Sequence, residues 1–148
     1  MPTEIRILRR GDEPFLANVV PGVFDHTIDA TLTAEFLGDS RHHLAVALDK
    51  GAVVGMTSAV HYVHPDKPAQ LWINEIGVAP THRNQGIGKM LLSVLLDAGK
   101  ALGCTEAWVL THRSNLAAMR LYSSMGGIEF PKDQVMFTFD LAERSENR

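Results

Sequence analysis

Val78-Ala79-Pro80-Thr81-His82-Arg83-Asn84-Gln85-Gly86-Ile87-Gly88 is the stretch on which the reading of this 148-residue chain turns. Before it, Gln70 to Ala79 reads as a strand, ended by Pro80, which has no N–H to give a ladder. After it, Gly86 to Leu102 changes to a helical rhythm. Ile87, Met90, Leu91, Val94, Leu95, Ala98 and Leu102 form one predicted buried stripe; Lys89, Ser93, Asp97 and Lys100 lie away from it, and Gly103 stops the helix. A strand is therefore handed to a helix through two glycines. The first turn of a helix has unpaired N–H groups and the positive end of a dipole, so anions bind there. Glycines let a diphosphate approach the backbone, and Arg83 and Lys89 add positive charge.

Other phosphate loops fit less well. A P-loop needs Gly, four residues, then Gly-Lys-Ser/Thr, but Gly88-Lys89 is followed by Met90 and the position five before Gly88 is Arg83. A dinucleotide fingerprint needs a small residue where Leu91 stands. The plain alternative is a glycine-rich turn without a ligand. Arg83 three residues before Gly86, together with the long amphipathic helix, weighs against it.

Working outward, Glu4 to Arg9 alternates polar and apolar residues and predicts a strand. Asp12 opens an expected helix to about Val20, and a short helix is expected from about Thr31 to Leu37. Strands at about 43–48 and 52–62 flank the turn Asp49-Lys50-Gly51. Beyond the central helix come a strand over Glu106–Thr111 and a helix over Asn115–Met125, capped by Ser114 or Asn115. The alternating Val135, Phe137, Phe139 and Leu141 predict a last strand that closes the sheet. The order β-α-α-β-β-β-α-β-α-β implies an α/β (α+β) fold: one mixed, mostly antiparallel sheet of about six to seven strands with helices on both faces. Residues 1–142 form one expected domain, and 143–148 a polar tail.

Composition bounds the function. A formal net charge of −3 argues against nucleic-acid binding, which usually shows a basic excess. It permits a cationic substrate. The single cysteine, Cys104, suits a reducing compartment, and no apolar run is long enough to span a bilayer. The expected location is the cytoplasm, without a membrane partner. The seven histidines form no metal-ligand spacing, so no metal is expected. Cys104, beside a helix-stopping glycine, reads as a structural thiol.

Two blocks resemble the GNAT acetyltransferase superfamily. Arg83-x-x-Gly86-x-Gly88 is similar to its Arg/Gln-x-x-Gly-x-Gly/Ala signature. Asn115-Leu116-Ala117-Ala118-Met119-Arg120-Leu121-Tyr122-Ser123-Ser124-Met125-Gly126 resembles its Asn-x-x-Ala-x-x-x-Tyr-x-x-x-Gly helix. Gly127-Ile128 departs from the Gly-Phe of many members. The resemblance implies the GNAT fold and acetyl-CoA as co-substrate. It places the pantetheine arm in a splay between strands four and five, paired with the backbone of Ile76 and Val78. The pyrophosphate would rest on N–H groups of Asn84, Gln85, Gly86, Ile87, Gly88 and Lys89 beside Arg83, with Asn115 and Tyr122 also contacting the cofactor.

Acetyl transfer to an amine needs a base, oxyanion donors and an acid for the departing thiolate. Regular alternation places Leu71, Ile73, Glu75 and Gly77 on one strand face, and Trp72, Asn74, Ile76 and Val78 on the other. A carboxylate among apolar neighbours tends to a raised pKa, which suits Glu75 as base. The bland reading of Glu75 is an ion-paired sheet residue. Tyr122 is the candidate acid by the resemblance, or else a core aromatic. The Val78 N–H is the candidate oxyanion donor, a role that needs a bulge in the strand. The segment from Ala52-Val53-Val54-Gly55 to Leu92, with Glu75, and the run Met136-Phe137-Thr138-Phe139-Asp140 are similar to aminoglycoside 3-N-acetyltransferases of type I. That implies direct transfer, in a ternary complex, to a primary amine on a small cationic acceptor. Asp25 and Asp29 are candidate acceptor contacts, and a homodimer is compatible with the reading. Open alternatives are acetylation of another small amine or a protein amine, and a non-catalytic acyl-CoA sensor.

Overall fold

A computed structural model describes residues 3–130 and 133–142. Five strands form one sheet in chain order: β1 (Glu4–Ile7), β2 (His42–Asp49), β3 (Ala52–Tyr62), β4 (Gln70–Val78) and β5 (Ala107–Val109). The first four pair antiparallel, whereas β4 and β5 run parallel. The helices are α1 (Ala30–Gly38), α2 (Ile87–Ala101) and α3 (Leu116–Ser124).

Alternation along β2 sorts the core into two layers. Leu44, Val46 and Leu48 pack with Leu37 of α1, Leu16 and Val23 on one face. Ala45 and Ala47 meet Ile87 and Leu91 of α2 on the other. The small alanines let α2 lie close to the sheet. Under β4, Leu71 and Ile73 pack on Leu92 and Leu95, with Leu121 and Tyr122 of α3 beside them. Helices thus cover both faces, as the sequence predicts.

Four expectations need correction. The helix expected from Asp12 to Val20 is a 3-10 turn over Glu13–Ala17. The chain then leaves the helical path because β3 takes it as a ladder partner: Val53 N–H donates to Asn18, and Val20 N–H donates to Val53. The buried stripe of α2 runs through Ile87, Leu91, Leu92, Leu95 and Gly99, leaving Met90 and Leu102 exposed. Gly99, with no side chain, lets Leu71 into the stripe, which rotates the buried face. The expected last strand is absent among the described residues. Val135, Phe137, Phe139 and Leu141 are 77–93% exposed, and the five described strands of the sheet do not include them. Alternation marks β-propensity, but a strand also needs a neighbour to pair with. The sheet therefore has five described strands rather than six to seven.

The fourth correction lies within β4. Its ladder with β3 pairs Ser58 with Glu75 and Ala59 with Ile73, so Asn74 is an extra residue, a β-bulge. A bulge reverses the facing of the residues beyond it. Leu71 and Ile73 face α2, and past the bulge so do Ile76 and Val78, packed toward Ile87 and Leu91. Trp72, Glu75 and Gly77 therefore share the opposite face. Glu75 and Gly77 do not share a face with Leu71 and Ile73 as regular alternation requires.

Candidate active site

Glu75 is placed by that bulge. Its backbone pairs with Ser58, and its carbonyl accepts a 2.9 Å hydrogen bond from the hydroxyl of Thr57. Two residues on, Gly77 lies under the loop that joins the 3-10 turn to α1: a Cβ there would collide with the carbonyl oxygen of Val23. The missing side chain seats residues 22–26 on β4 and brings Asp25 and His26 toward Glu75. Burial raises the pKa of Glu75, the negative charge of Asp25 raises it further, and His26 opposes both. Glu75 still reaches solvent, but a carboxylate so placed holds its proton more tightly than a free one, which improves it as a base.

A cleft of about 910 Å³ borders this loop, lined among others by Glu13, Phe24, Asp25, His26, Ile28 and Thr33. Asp25 is exposed at its rim. Asp29 is otherwise engaged: its carboxylate accepts from Leu32 N–H at 2.8 Å and caps α1. Sequence reasoning misses His26, since an isolated loop histidine carries no motif.

The other side of the site is a gap. β4 and β5 pair only through Leu71–Ala107, Trp72–Trp108 and Ile73–Val109. β4 continues to Val78 while β5 ends at Val109, so the edge of Glu75 to Val78 has no β5 partner. An extended ligand can add there as a strand. Tyr122 stands half-buried on α3 behind β4, among Ala59, Leu71, Ile73, Leu92 and Leu95. Burial raises its pKa, so its hydroxyl keeps its proton.

At the end of the gap lies the loop 83–88. Asn84 and Gly86 both have positive φ, 62° and 79°, turning the chain sharply into α2. Gly86 is the N-cap and offers no side chain to the helix; a Cβ on it would meet nothing within 4 Å. Gly88 has a different job. A Cβ there would stand 3.4 Å from Leu121 and 3.9 Å from Ile76, so it lets α3 and β4 approach α2. Arg83 Nε donates to Val78 O at 3.3 Å, which bends the loop back over the end of β4. His82, unmarked by any motif, ties the loop to the β2–β3 turn through Asp49 Oδ2 at 2.7 Å, and this pairing lowers the pKa of Asp49. Arg83, Asn84, Gln85, Gly86 and Lys89 are exposed while Ile87 is buried: a solvent-facing rim on an anchored helix. This donor set fits a diphosphate. Asn115 caps α3 by accepting from Ala118 N–H at 3.1 Å.

A mixed sheet splayed between its two parallel strands, with a glycine-led helix end at the mouth of the splay, is the architecture of the acetyltransferase class. The chain belongs to the acetyltransferase (GNAT) family, whose model matches residues 9–126. Members of this family use acetyl-CoA. Among curated proteins, the chain is 32% identical over 102 residues to N-acetyltransferase 8 of Rattus norvegicus, covering 68% of this chain and 46% of that protein. It is 35% identical over 88 residues to streptothricin acetyltransferase of Streptomyces lavendulae, covering 60% and 44%. The chain spans less than half the length of these relatives. Among solved structures, an aminoglycoside acetyltransferase from an uncultured soil metagenomic sample, in complex with sisomicin, superposes with a TM-score of 0.79 at 18% identity, covering 95% of this chain and 97% of that one. This likeness shows a shared fold. No helix among the described residues is long and apolar enough to cross a membrane.

Proposed function

We propose that this chain is an acetyl-CoA-dependent N-acetyltransferase acting in the cytoplasm on a primary amine, the 3-amino group of an aminoglycoside. The observation that carries the reading is the Asn74 bulge, which turns Glu75 toward Asp25 and His26 while Ile76 and Val78 keep a free edge on the gap. Acceptor and cofactor then meet from two sides of one strand. The thioester supplies the acetyl group. Glu75 takes a proton from the acceptor ammonium, which frees the nitrogen lone pair to attack the carbonyl carbon. The N–H of Val78 faces the oxygen that gains negative charge. Tyr122 gives its proton to the departing sulfur. Backbone of Ile76 and Val78 aligns the pantetheine arm; Arg83, Lys89 and the N–H groups from Asn84 to Lys89 hold the pyrophosphate, and Asn115 sits beside the arm. Asp25 holds a second ammonium of the acceptor, and Asp29 adds to the negative field at the loop.

The aminoglycoside reading is supported by two carboxylates at the site and by the folds of known aminoglycoside acetyltransferases. It makes the protein an antibiotic-resistance enzyme. The curated relatives, named N-acetyltransferase 8 and streptothricin acetyltransferase, support a second reading, in which the acceptor is another amine.

The test measures acetyl-CoA turnover with gentamicin, sisomicin, a simple polyamine and a peptide, on wild type and Glu75→Gln. Turnover of both aminoglycosides is expected, with a loss of ~10² or more in the variant. Because the base works ionised and its pKa is raised, kcat/KM should climb with pH through a limb above the ordinary carboxylate range. Turnover of the polyamine or peptide alone would end the aminoglycoside reading and leave the N-acetyltransferase. Thermal stabilisation by acetyl-CoA with no turnover of any amine would indicate a sensor.

A further inference from the structure

Thr57 is fully buried, one of two buried polar side chains among the described residues. It lies opposite Ile76 in the β3–β4 ladder, one position from the bulge, on the face that α2 covers. Packing alone gives it no need of a hydroxyl, since valine has nearly the same shape. A buried hydroxyl is costly unless it is hydrogen-bonded, and this one donates to the carbonyl oxygen of Glu75 at 2.9 Å. The bond falls where the ladder is irregular. A bulge disturbs the pairing of the strand that carries it, so the backbone there depends on such side-chain bonds. On the opposite face, Val23 presses on Gly77. The strand is thus held between a hydroxyl behind and a loop in front, with Glu75 between them.

We infer that Thr57 is a positioning residue for acetyl transfer: its hydroxyl fixes the backbone of Glu75 from the α2 side and so aims the carboxylate at the acceptor on the other. The inference rests on the reading of Glu75 as base. Losing the bond lets the bulge relax and the carboxylate turn away from Asp25 and the acceptor face. Small misplacements of a reacting group are costly in rate, whereas the cofactor loop, beyond Pro80, is untouched.

Thr57→Val and Thr57→Ser are compared in the wild-type and Glu75→Gln backgrounds, by kcat, acceptor KM, acetyl-CoA affinity and the pH profile of kcat/KM. Thr57→Val should lower kcat about 10-fold with acetyl-CoA affinity unchanged. Its acid limb should move to lower pH, because a carboxylate turned away from the charge of Asp25 ionises more readily. Thr57→Ser, which keeps the hydroxyl but loses a methyl group, should keep the wild-type kcat. In the Glu75→Gln background, Thr57→Val should slow turnover no further. If Thr57→Val fails to fold, Thr57→Ser against Thr57→Ala carries the same contrast. A hydroxyl-free variant as fast as Thr57→Ser overturns the inference, as does an equal loss in both backgrounds. A slow Glu75→Gln beside a normal Thr57→Val overturns Thr57 alone; a normal Glu75→Gln removes the base assignment and the route through it.

Discussion

The N-termini of α2 and α3 solve the same problem in opposite ways. Every helix begins with N–H groups that have no partner within it. α3 commits a side chain to one of them, Asn115 to Ala118, and α1 does likewise with Asp29 and Leu32. α2 begins at Gly86, which has nothing to give, in a left-handed conformation that turns the first amides outward. Over 15 residues with a fully buried Leu91 and Leu95, α2 is also the longest and best-anchored of the three helices. The helix that least needs a cap is the one without it, and its open end faces the gap in the sheet. Burial of the rest of α2 compensates for an end left uncapped.

The sharpest way to break this contrast is Gly86→Asp. It gives α2 a capping carboxylate and places a negative charge on the proposed diphosphate position. Acetyl-CoA affinity should fall by about 100-fold or more, since an added side chain and a like charge act together. Calorimetric titration measures it, and an unchanged affinity would show that the pyrophosphate lies elsewhere. Next in size is Tyr122→Phe. Because the end of α3 is closed, its contribution is expected from side chains: kcat should drop about 10-fold with little change in affinity, the mark of a group used as the thiolate leaves. Equal kcat would make Tyr122 a packing residue of the core. The smallest effect belongs to Asp29→Ala at the capped end of α1. Loss of an N-cap should cost about 1 kcal/mol of stability, read by urea unfolding, with acetyl-CoA affinity as in wild type. A large loss of affinity there would mean that capped and uncapped ends are not functionally distinct.

The loop 78–88 is legible in the sequence because its chemistry is local: a strand ended by proline, two glycines, a basic residue and an amphipathic helix. The order of elements from β2 to α3 is legible for the same reason. The illegible parts depend on contacts between distant residues. The 3-10 turn at Glu13–Ala17 replaces a helix because Val53 takes Asn18 and Val20 into pairing. The facing of Glu75 depends on the bulge, and no pattern within 70–78 marks Asn74 as the residue to be skipped. Glu75 can be picked by its type and place, but not its company: Asp25 and His26 reach it only because Val23 lies over Gly77. Thr57, His26 and His82 carry no signal at all. The alternation of 135–141 is clear, yet propensity without a partner strand leaves those residues exposed.

The bulge at Asn74 also sets rules for anyone who would redesign the face of β4 that carries Glu75. A mutagenesis library that steps along β4 by twos from Leu71 would cross faces at the bulge, placing Leu71 and Ile73 inside the hydrophobic interior and only Glu75 and Gly77 on the other face. Its productive positions are Trp72 and Glu75, with Gly77 left alone because the loop needs its bareness. A single-residue deletion at Asn74 would remove the bulge yet leave Glu75 on its present face, whereas a pairing that took Asn74 into a regular ladder would turn Glu75 toward α2. That one slip of register converts a surface carboxylate into a misfolding hazard without any change in the amino-acid content of the site.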